Sequence, residues 1–313
     1  MKKSKILVIA LIVCLVALGV GAVSLFGGNI GLGFTYANAD KYTAGETTLT
    51  ENVENLDIHW VSGNVKIEYH AGNEIRVTET ANRTMSDEDQ VRWWLDGTTL
   101  RIMYAKSGRF RLFDNLNKTL TVSLPEGAVL KKANIQTTSG TLDIPQLTAD
   151  ETELTVTSGN VNAAADTRKI TVKSTSGDLN IRLAGVTEEA TLEVTSGSIL
   201  ADIGDTKQLN VHGTSGNISV HGKAGNADIK TTSGTVSVRF AAINSLNINV
   251  TSGNVTAALP ENPGFTCEAS MTSGKFSSSV SLTNNGNVYA CGDGSAKCSI
   301  HTTSGDIRIE KAD

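Results

Sequence analysis

The tripeptide Thr-Ser-Gly recurs along this chain at a nearly constant spacing, and its neighbours recur with it, as in VTSGNVNA from Val156 and TTSGDIRI from Thr302. The successive glycines are 19, 18, 20, 19, 18, 19, 21 and 31 residues apart. Self-similarity at a fixed period indicates a repeat protein. The corner glycines are Gly140, Gly159, Gly177, Gly197, Gly216, Gly234, Gly253, Gly274 and Gly305.

Apolar and polar residues alternate on both sides of each glycine. The position five residues before it holds Ile135, Leu154, Val172, Leu192, Val211, Ile229, Ile248, Ala269 and Ile300. Positions seven before, two after and four after are also mostly apolar, while the position four before is polar. A period of two predicts strands with one buried face, and glycine permits the positive φ of a sharp turn. Each repeat therefore predicts a strand, a corner, a second strand and a return loop.

Two all-β architectures accommodate such a unit. In a meander each Thr-Ser-Gly would close an antiparallel hairpin, whereas in a parallel β-solenoid each repeat would form one coil. We favour the solenoid, with two sheets and about 19 residues per coil, because stacking like residues at about 4.8 Å explains why the same corner returns at a fixed interval.

The chain divides into four predicted segments. Residues 1–30 form a cytoplasmic tip and a transmembrane anchor, and residues 31–44 form a linker. Residues 45–125 form irregular N-terminal coils and a cap, where atypical residues such as Trp60, Trp93 and Trp94 hide the end of the core. Residues 126–313 form the repeat solenoid with a C-terminal cap that includes an extra hairpin.

The apolar run from Ile6 to Phe26 carries no charge and is long enough to cross a bilayer as one helix. Three lysines precede it, which predicts a single-pass protein of the cytoplasmic membrane with its N-terminus inside and its C-terminal domain outside. Two alternatives are a signal peptide cleaved after Ala37-Asn38-Ala39 and a lipoprotein acylated at Cys14. We favour a retained anchor, because the run is long for a signal peptide and the residue before Cys14 is not small.

The net charge of the chain limits the classes of partner that it is expected to bind. Residues 40–313 contain 24 Lys and Arg against 32 Asp and Glu, a net charge of −8. Nucleic-acid binding is therefore not expected, because phosphate contacts need a basic surface. The basic and aromatic segment KSGRFRLF from Lys106 either contacts phosphate groups or protects a sheet edge from aggregation.

No residue set predicts catalysis, a metal site or a cofactor. Asp143, Asp178 and Asp306 are the carboxylates a polysaccharide-cleaving β-helix would use, but no basic residue accompanies them, and we interpret them as turn residues. The histidines that occupy the polar column belong to a solvated face.

Three cysteines follow the predicted anchor, where a disulfide can persist. Cys267 and Cys298 occupy the same inward column and could be bridged, or Cys291 and Cys298 could close the hairpin. Three unbonded core thiols are the remaining possibility.

The repeats, the lead-in SLPEGAVLKKANIQTTSG and the closing GDGSAKCSIHTTSGDIRIE closely resemble a bacterial family of β-strand-repeat cell-envelope proteins of unknown function, labelled "putative adhesin". The resemblance covers about residues 45–311. It implies a membrane-anchored protein of the cell envelope, linked in some members to envelope stress, with no catalytic residues to transfer.

Three functions are consistent with the sequence. The leading hypothesis is a non-enzymatic, membrane-anchored binding or scaffold module outside the cytoplasmic membrane, whose partner is a cell-wall polymer, a lipid or a membrane protein. The alternatives are a polysaccharide-active β-helix enzyme and a passive structural spacer.

Overall fold

The computed structural model describes residues 34–108 and 116–312, so the predicted membrane anchor lies outside the described residues. The described residues contain two short 3-10 helices, Ala39–Lys41 and Asp87–Asp89, and are otherwise built of strands and their connections. None of their helices has the length and apolar character needed to cross a bilayer.

The strands are β1 (Thr43–Ala44), β2 (Thr47–Leu49), β3 (Asn55–His70), β4 (Ile75–Ala81), β5 (Arg92–Asp96), β6 (Thr99–Met103), β7 (Lys118–Pro125), β8 (Leu130–Ser139), β9 (Leu142–Ile144), β10 (Thr148–Ser158), β11 (Val161–Ser176), β12 (Leu179–Ser196), β13 (Ile199–Ser215), β14 (Ile218–Ser233), β15 (Val236–Ala242), β16 (Ser245–Ser252), β17 (Val255–Leu259), β18 (Gly264–Ser273), β19 (Phe276–Ser278), β20 (Thr283–Asn285), β21 (Val288–Gly292), β22 (Ala296–Ser304) and β23 (Ile307–Lys311).

Each repeat forms one rung of a parallel solenoid, which we name by its corner glycine. The segment that leads into the Thr-Ser-Gly corner belongs to one sheet, the front sheet, and the segment that leaves it belongs to the other, the back sheet. Long strands such as β12 contribute to both, and the shift in register between Leu183 and Val186 marks the second corner.

Neighbouring rungs pair parallel and in register, so that like residues stack. Leu154 lies beside Val172, and Val172 lies beside Leu192. This pairing confirms the predicted parallel β-solenoid and excludes the antiparallel meander for the repeats.

The corner glycines stack directly on one another. A Cβ atom added to Gly177 would lie 2.0 Å from the carbonyl oxygen of Gly159, and the φ of Gly177 is +134°. The amide of Gly159 in turn donates a 2.8 Å hydrogen bond to the carbonyl oxygen of Ser176. Glycine is required at each corner for two reasons: the positive φ disfavours other residues, and the neighbouring rung occupies the space of a side chain.

The rungs do not stack in chain order at the C-terminal end. In the front sheet β16 pairs with β22, and β22 pairs with β18, so the rung of Gly305 lies between the rungs of Gly253 and Gly274. The back sheet repeats this order through β17, β23 and β19. The predicted hairpin is present as β20 and β21, and β21 covers the outer edge of β18 in antiparallel pairing.

The N-terminal end uses a similar arrangement. The rung of Gly63, formed by β3, has β8 and β9 on one side and β6 and β7 on the other. Antiparallel strands β5 and β4 then cover β6 and β7, and β1 and β2 pair with their outer edges. At both ends, short antiparallel strands therefore replace the parallel pairing and cover strand edges that the outermost parallel strands would otherwise expose.

The core contains the four apolar columns expected from the repeat. Ile135, Leu154, Val172 and Ile248 are fully buried, for example. The structure also buries most of the column three residues before the glycine, where threonines such as Thr137, Thr231 and Thr302 alternate with valines. The alternation around the glycines does not predict the burial of that column.

A buried lysine closes the N-terminal end of the glycine stack. Lys118 pairs with Gly63 in register, and its side chain is completely buried. Its Nζ lies 2.8 Å from Oε2 of Glu79 and donates to the carbonyl oxygens of Asp89 (2.6 Å) and Tyr104. Burial lowers the pKa of Lys118, and the Glu79 carboxylate opposes that decrease. Such a pair depends on both partners, because either charge alone would be buried without compensation.

Replacing Gly177 with alanine is expected to lower the free energy of unfolding by about 3 kcal/mol or more, because the new methyl group and the Gly159 carbonyl require the same space. Urea unfolding followed by circular dichroism measures the change. Gly97→Ala is the matched control, since Gly97 also has positive φ (+62°) but open space at its Cβ, and it should cost only about 1 kcal/mol. Equal costs for the two variants would refute the stacking argument.

Replacing Lys118 with methionine is expected to cost about 3–5 kcal/mol, because it leaves the Glu79 carboxylate buried without its partner. Adding Glu79→Gln should recover part of that loss. Lys66→Met, which breaks the exposed Lys66–Glu68 pair, should leave the unfolding transition almost unchanged. If the Lys118 and Lys66 variants unfolded alike, the buried cluster would not stabilise this end of the solenoid.

Candidate functional site

The outer surface of the front sheet carries a continuous open groove of about 960 Å³ that runs across seven rungs. At about 4.8 Å per rung, it extends for roughly 30 Å along the solenoid axis. Its floor is the backbone of the column three residues before each glycine, whose side chains turn mainly inward. Because strands place alternate residues on opposite faces, the columns on either side of the floor point outward and form two walls.

One wall is a ladder of threonines from the Thr-Ser-Gly corners. Their hydroxyl groups repeat at the rung spacing, and each can donate one hydrogen bond and accept others. Branching at Cβ restricts χ1, so the ladder is comparatively rigid. The wall consists of Thr157, Thr175, Thr195, Thr214, Thr232, Thr251 and Thr303.

The opposite wall is chemically mixed. It consists, in rung order, of Thr155, Lys173, Glu193, His212, Lys230, Asn249 and His301. The Nζ of Lys173 lies 3.2 Å from a carboxylate oxygen of Glu193, and the Nζ of Lys230 lies 2.5 Å from a carboxylate oxygen of Asp228. The groove thus presents regular hydroxyl groups on one side and charged or amide groups on the other.

The insertion of the last rung completes the groove. It places His301 beside Asn249 in the front sheet, and it places Ser270 on the far side of His301, 2.9 Å from Nδ1. The repeat pattern places His301, four residues before Gly305, in the polar outward column. Its neighbours follow from a pairing of strands about 50 residues apart in the chain, which no local pattern specifies.

The residues that follow the corner glycines form a hydrogen-bonded ladder, which explains two of the candidate carboxylates. Oδ1 of Asn160 accepts from the amide of Asp178 (2.9 Å), and Oδ1 of Asp178 accepts from the amide of Ser198 (2.8 Å). Oδ1 of Asp306 likewise accepts from the amide of Lys275 (2.8 Å). Their carboxylates satisfy backbone amides of the next rung, as expected for turn residues.

The structure does not bring the candidate carboxylates together. Asp143 lies in β9 on the back sheet, where Lys66 is its register partner, two rungs from Asp178 and many rungs from Asp306. No group of three or more His, Cys, Asp or Glu side chains arranged to hold a metal ion occurs within the described part of the chain.

The histidines outside the groove have other positions. His59 lies 3.0 Å from Asp57, His70 lies 2.8 Å from the carbonyl oxygen of Glu74, and His221 is exposed on the back sheet. Lys106 lies 3.3 Å from Glu88, while residues 109–115, which include most of the basic and aromatic segment, fall outside the described range.

Cys267 and Cys298 are register partners on neighbouring strands, and both are buried, as is Cys291. All three are free thiols in the structure. Burial raises the pKa of Cys267 and of Cys298 to about 12, so both remain protonated at neutral pH. A bridge between Cys267 and Cys298, or between Cys291 and Cys298, stays a prediction.

Solved structures that match this chain come from several bacteria. A "putative adhesin" from Parabacteroides distasonis is 15% identical, with a TM-score of 0.45, and the match covers 85% of this chain and 97% of that chain. A "putative lipid binding protein" from the same organism is 17% identical, with a TM-score of 0.39 and coverage of 85% and 98%. No curated protein sequence matches significantly.

The family comparison agrees with the resemblance noted from the repeats and corner glycines. A model of the Toastrack DUF4097 family matches residues 53–310, which include the repeat region from Gly140 to Gly305. The chain belongs to the Toastrack DUF4097 family, a bacterial family of unknown function.

Proposed function

We propose that this protein is a non-enzymatic binding and scaffold module of the bacterial cell envelope, and that the groove of the front sheet is its contact surface. In this proposal the run from Ile6 to Phe26 anchors the chain in the cytoplasmic membrane and the solenoid lies outside. The observation that carries the proposal is the unbroken groove across seven rungs.

The form of the groove favours an extended partner. A compact substrate needs a concave pocket with a few converging polar groups, whereas this surface is open and repeats the same hydroxyl group at each rung. A linear polymer or an extended chain can contact many rungs at once. The candidate partners are a cell-wall polymer, a lipid headgroup and a segment of a membrane protein.

The chemistry of the outer surface also favours binding over hydrolysis. Glycoside hydrolysis uses two carboxyl groups that flank one bond. Here the Asp178 and Asp306 carboxylates accept backbone hydrogen bonds at separate rungs, and Asp143 lies apart from both. The groove itself contains a single carboxylate, Glu193, beside Lys173.

Placing a tryptophan in the middle of the threonine wall is expected to block binding. Thr214 is exposed, so Thr214→Trp should fold normally and reduce capture of the partner at least about tenfold, because the larger, uncharged side chain lies in the groove. Capture is measured with full-length protein in a neutral detergent against cell-wall fragments, lipid vesicles and membrane proteins of the source organism.

The matched control is Asn180→Trp, which adds the same side chain to an exposed position on the back sheet and should leave capture unchanged. Equal capture by both variants and the unmodified protein would show that the groove is not the contact surface. Failure of the unmodified protein to bind any of the three preparations would favour a passive spacer.

A further inference from the structure

Resting on the proposed binding role of the groove, we propose that its occupant is a linear cell-wall polymer of phosphodiester-linked polyols. The polymer lies along the solenoid axis over the C-terminal half of the groove, between the rungs of Gly216 and Gly305. Its binding strengthens as the pH falls through the range in which histidine gains charge.

Charge complementarity is the first support. Residues 40–313 carry a net charge of −8, yet the five ionisable groups that line the groove include two lysines, two histidines and a single carboxylate, Glu193. Lys173 is paired with Glu193 and Lys230 with Asp228, so the strip is nearly neutral on an acidic protein before its histidines gain charge. A polyanion would be repelled by most of the surface and least by this strip, which favours one binding orientation.

The spacing of the basic groups is the second support. His212 and Lys230 are register neighbours, and Asn249 separates Lys230 from His301. At about 4.8 Å per rung, the three basic groups span roughly 14 Å on one wall. A flexible chain with a phosphate in every repeat unit can place successive charges along such a row.

The threonine wall supplies the partner for the uncharged part of the polymer. Thr214, Thr232, Thr251 and Thr303 face the basic row across the groove, and hydroxyl groups can donate to phosphate oxygens or exchange hydrogen bonds with polyol hydroxyls. The groove lining contains no Phe, Tyr or Trp side chain on which bases could stack, so a nucleic acid fits it poorly.

The neighbours of His212 set part of the pH dependence. Within its column His212 lies between Glu193 and Lys230, and the Lys230 ammonium is paired with Asp228. Glu193 is itself paired with Lys173, so both carboxylates near His212 already have cationic partners. Protonation of His212 therefore adds positive charge to a nearly balanced strip.

The neighbours of His301 are mainly uncharged. Asn249 and Ser270 flank it in the column, and the Ser270 hydroxyl lies 2.9 Å from its Nδ1. Glu268 is the carboxylate on the neighbouring strand β18, exposed at the edge of the groove region. Since histidine in general changes charge between about pH 5 and 8, acidification adds charge at both ends of the basic row.

The test uses full-length protein in a neutral detergent and synthetic poly(glycerol phosphate) as the probe, with neutral dextran of similar length as the comparison polymer. We expect saturable binding of the phosphate polymer and none of dextran, and at least about fivefold tighter binding at pH 5.5 than at pH 7.5. The triple variant His212→Asn, Lys230→Gln, His301→Asn should lose about tenfold in affinity at pH 5.5 and most of the pH dependence.

The control variant is His221→Asn with Lys223→Gln, which removes one histidine and one lysine from exposed positions of β14 on the back-sheet side. It should bind as the unmodified protein does. Equal losses in the control and the triple variant would overturn the proposal, because the effect would then follow total charge and not the groove.

A second arm separates this proposal from the proposed function. Cell-wall fragments are offered before and after hydrolysis of their phosphodiester polymers. Loss of capture after hydrolysis supports the proposal. Undiminished capture that Thr214→Trp still abolishes would overturn the phosphodiester assignment and leave the groove as a binding site for another wall component. Absence of capture from either preparation would contradict a wall polymer as the partner altogether.

Discussion

The contact between each corner glycine and the carbonyl oxygen of the preceding corner determines the geometry of the whole solenoid. A carbonyl lies where the Cβ of any other residue would be, at Gly140, Gly159, Gly177 and onward to Gly274. This close approach aligns the backbones at one corner of every rung. Core columns, the ladder of Asn and Asp side chains and the threonine wall all follow from the same alignment, because residues at equal distances from the glycine are brought to equal positions.

Much of this fold could be predicted from the sequence, because stacking rungs repeat a local requirement. The glycine spacing and the alternation around residues such as Ile135 and Val172 specify strands, corners and a parallel stack. The outward column that forms one wall of the groove was also visible as a polar column. Such a prediction succeeds because every repeat contains the complete residue pattern and pairs with its neighbours in the same way.

The features that escaped prediction depend on contacts that occur once. The rung of Gly305 lies between those of Gly253 and Gly274 because the chain first forms the rung of Gly274 and then returns to pair on its inner side. This return occurs once, so no repeated residue pattern predicts it. The buried pair of Lys118 and Glu79 belongs to an end cap that has no second copy. The column three residues before the glycine mixes apolar residues with Thr, Ser and Gly, so its residue types do not predict that most of it is buried.

The insertion of the rung of Gly305 makes this rung an interior part of the stack. In an ordinary linear stack, loss of the final residues shortens the solenoid by one rung and leaves the others paired. Here β22 and β23 are paired on both sides, so a chain that stops before Ala296 leaves a gap between β16 and β18 and between β17 and β19. The interior of the stack is therefore complete only when the segment from Ala296 to Lys311 is in place, and a chain without that segment presents open strand edges on both sides of the gap.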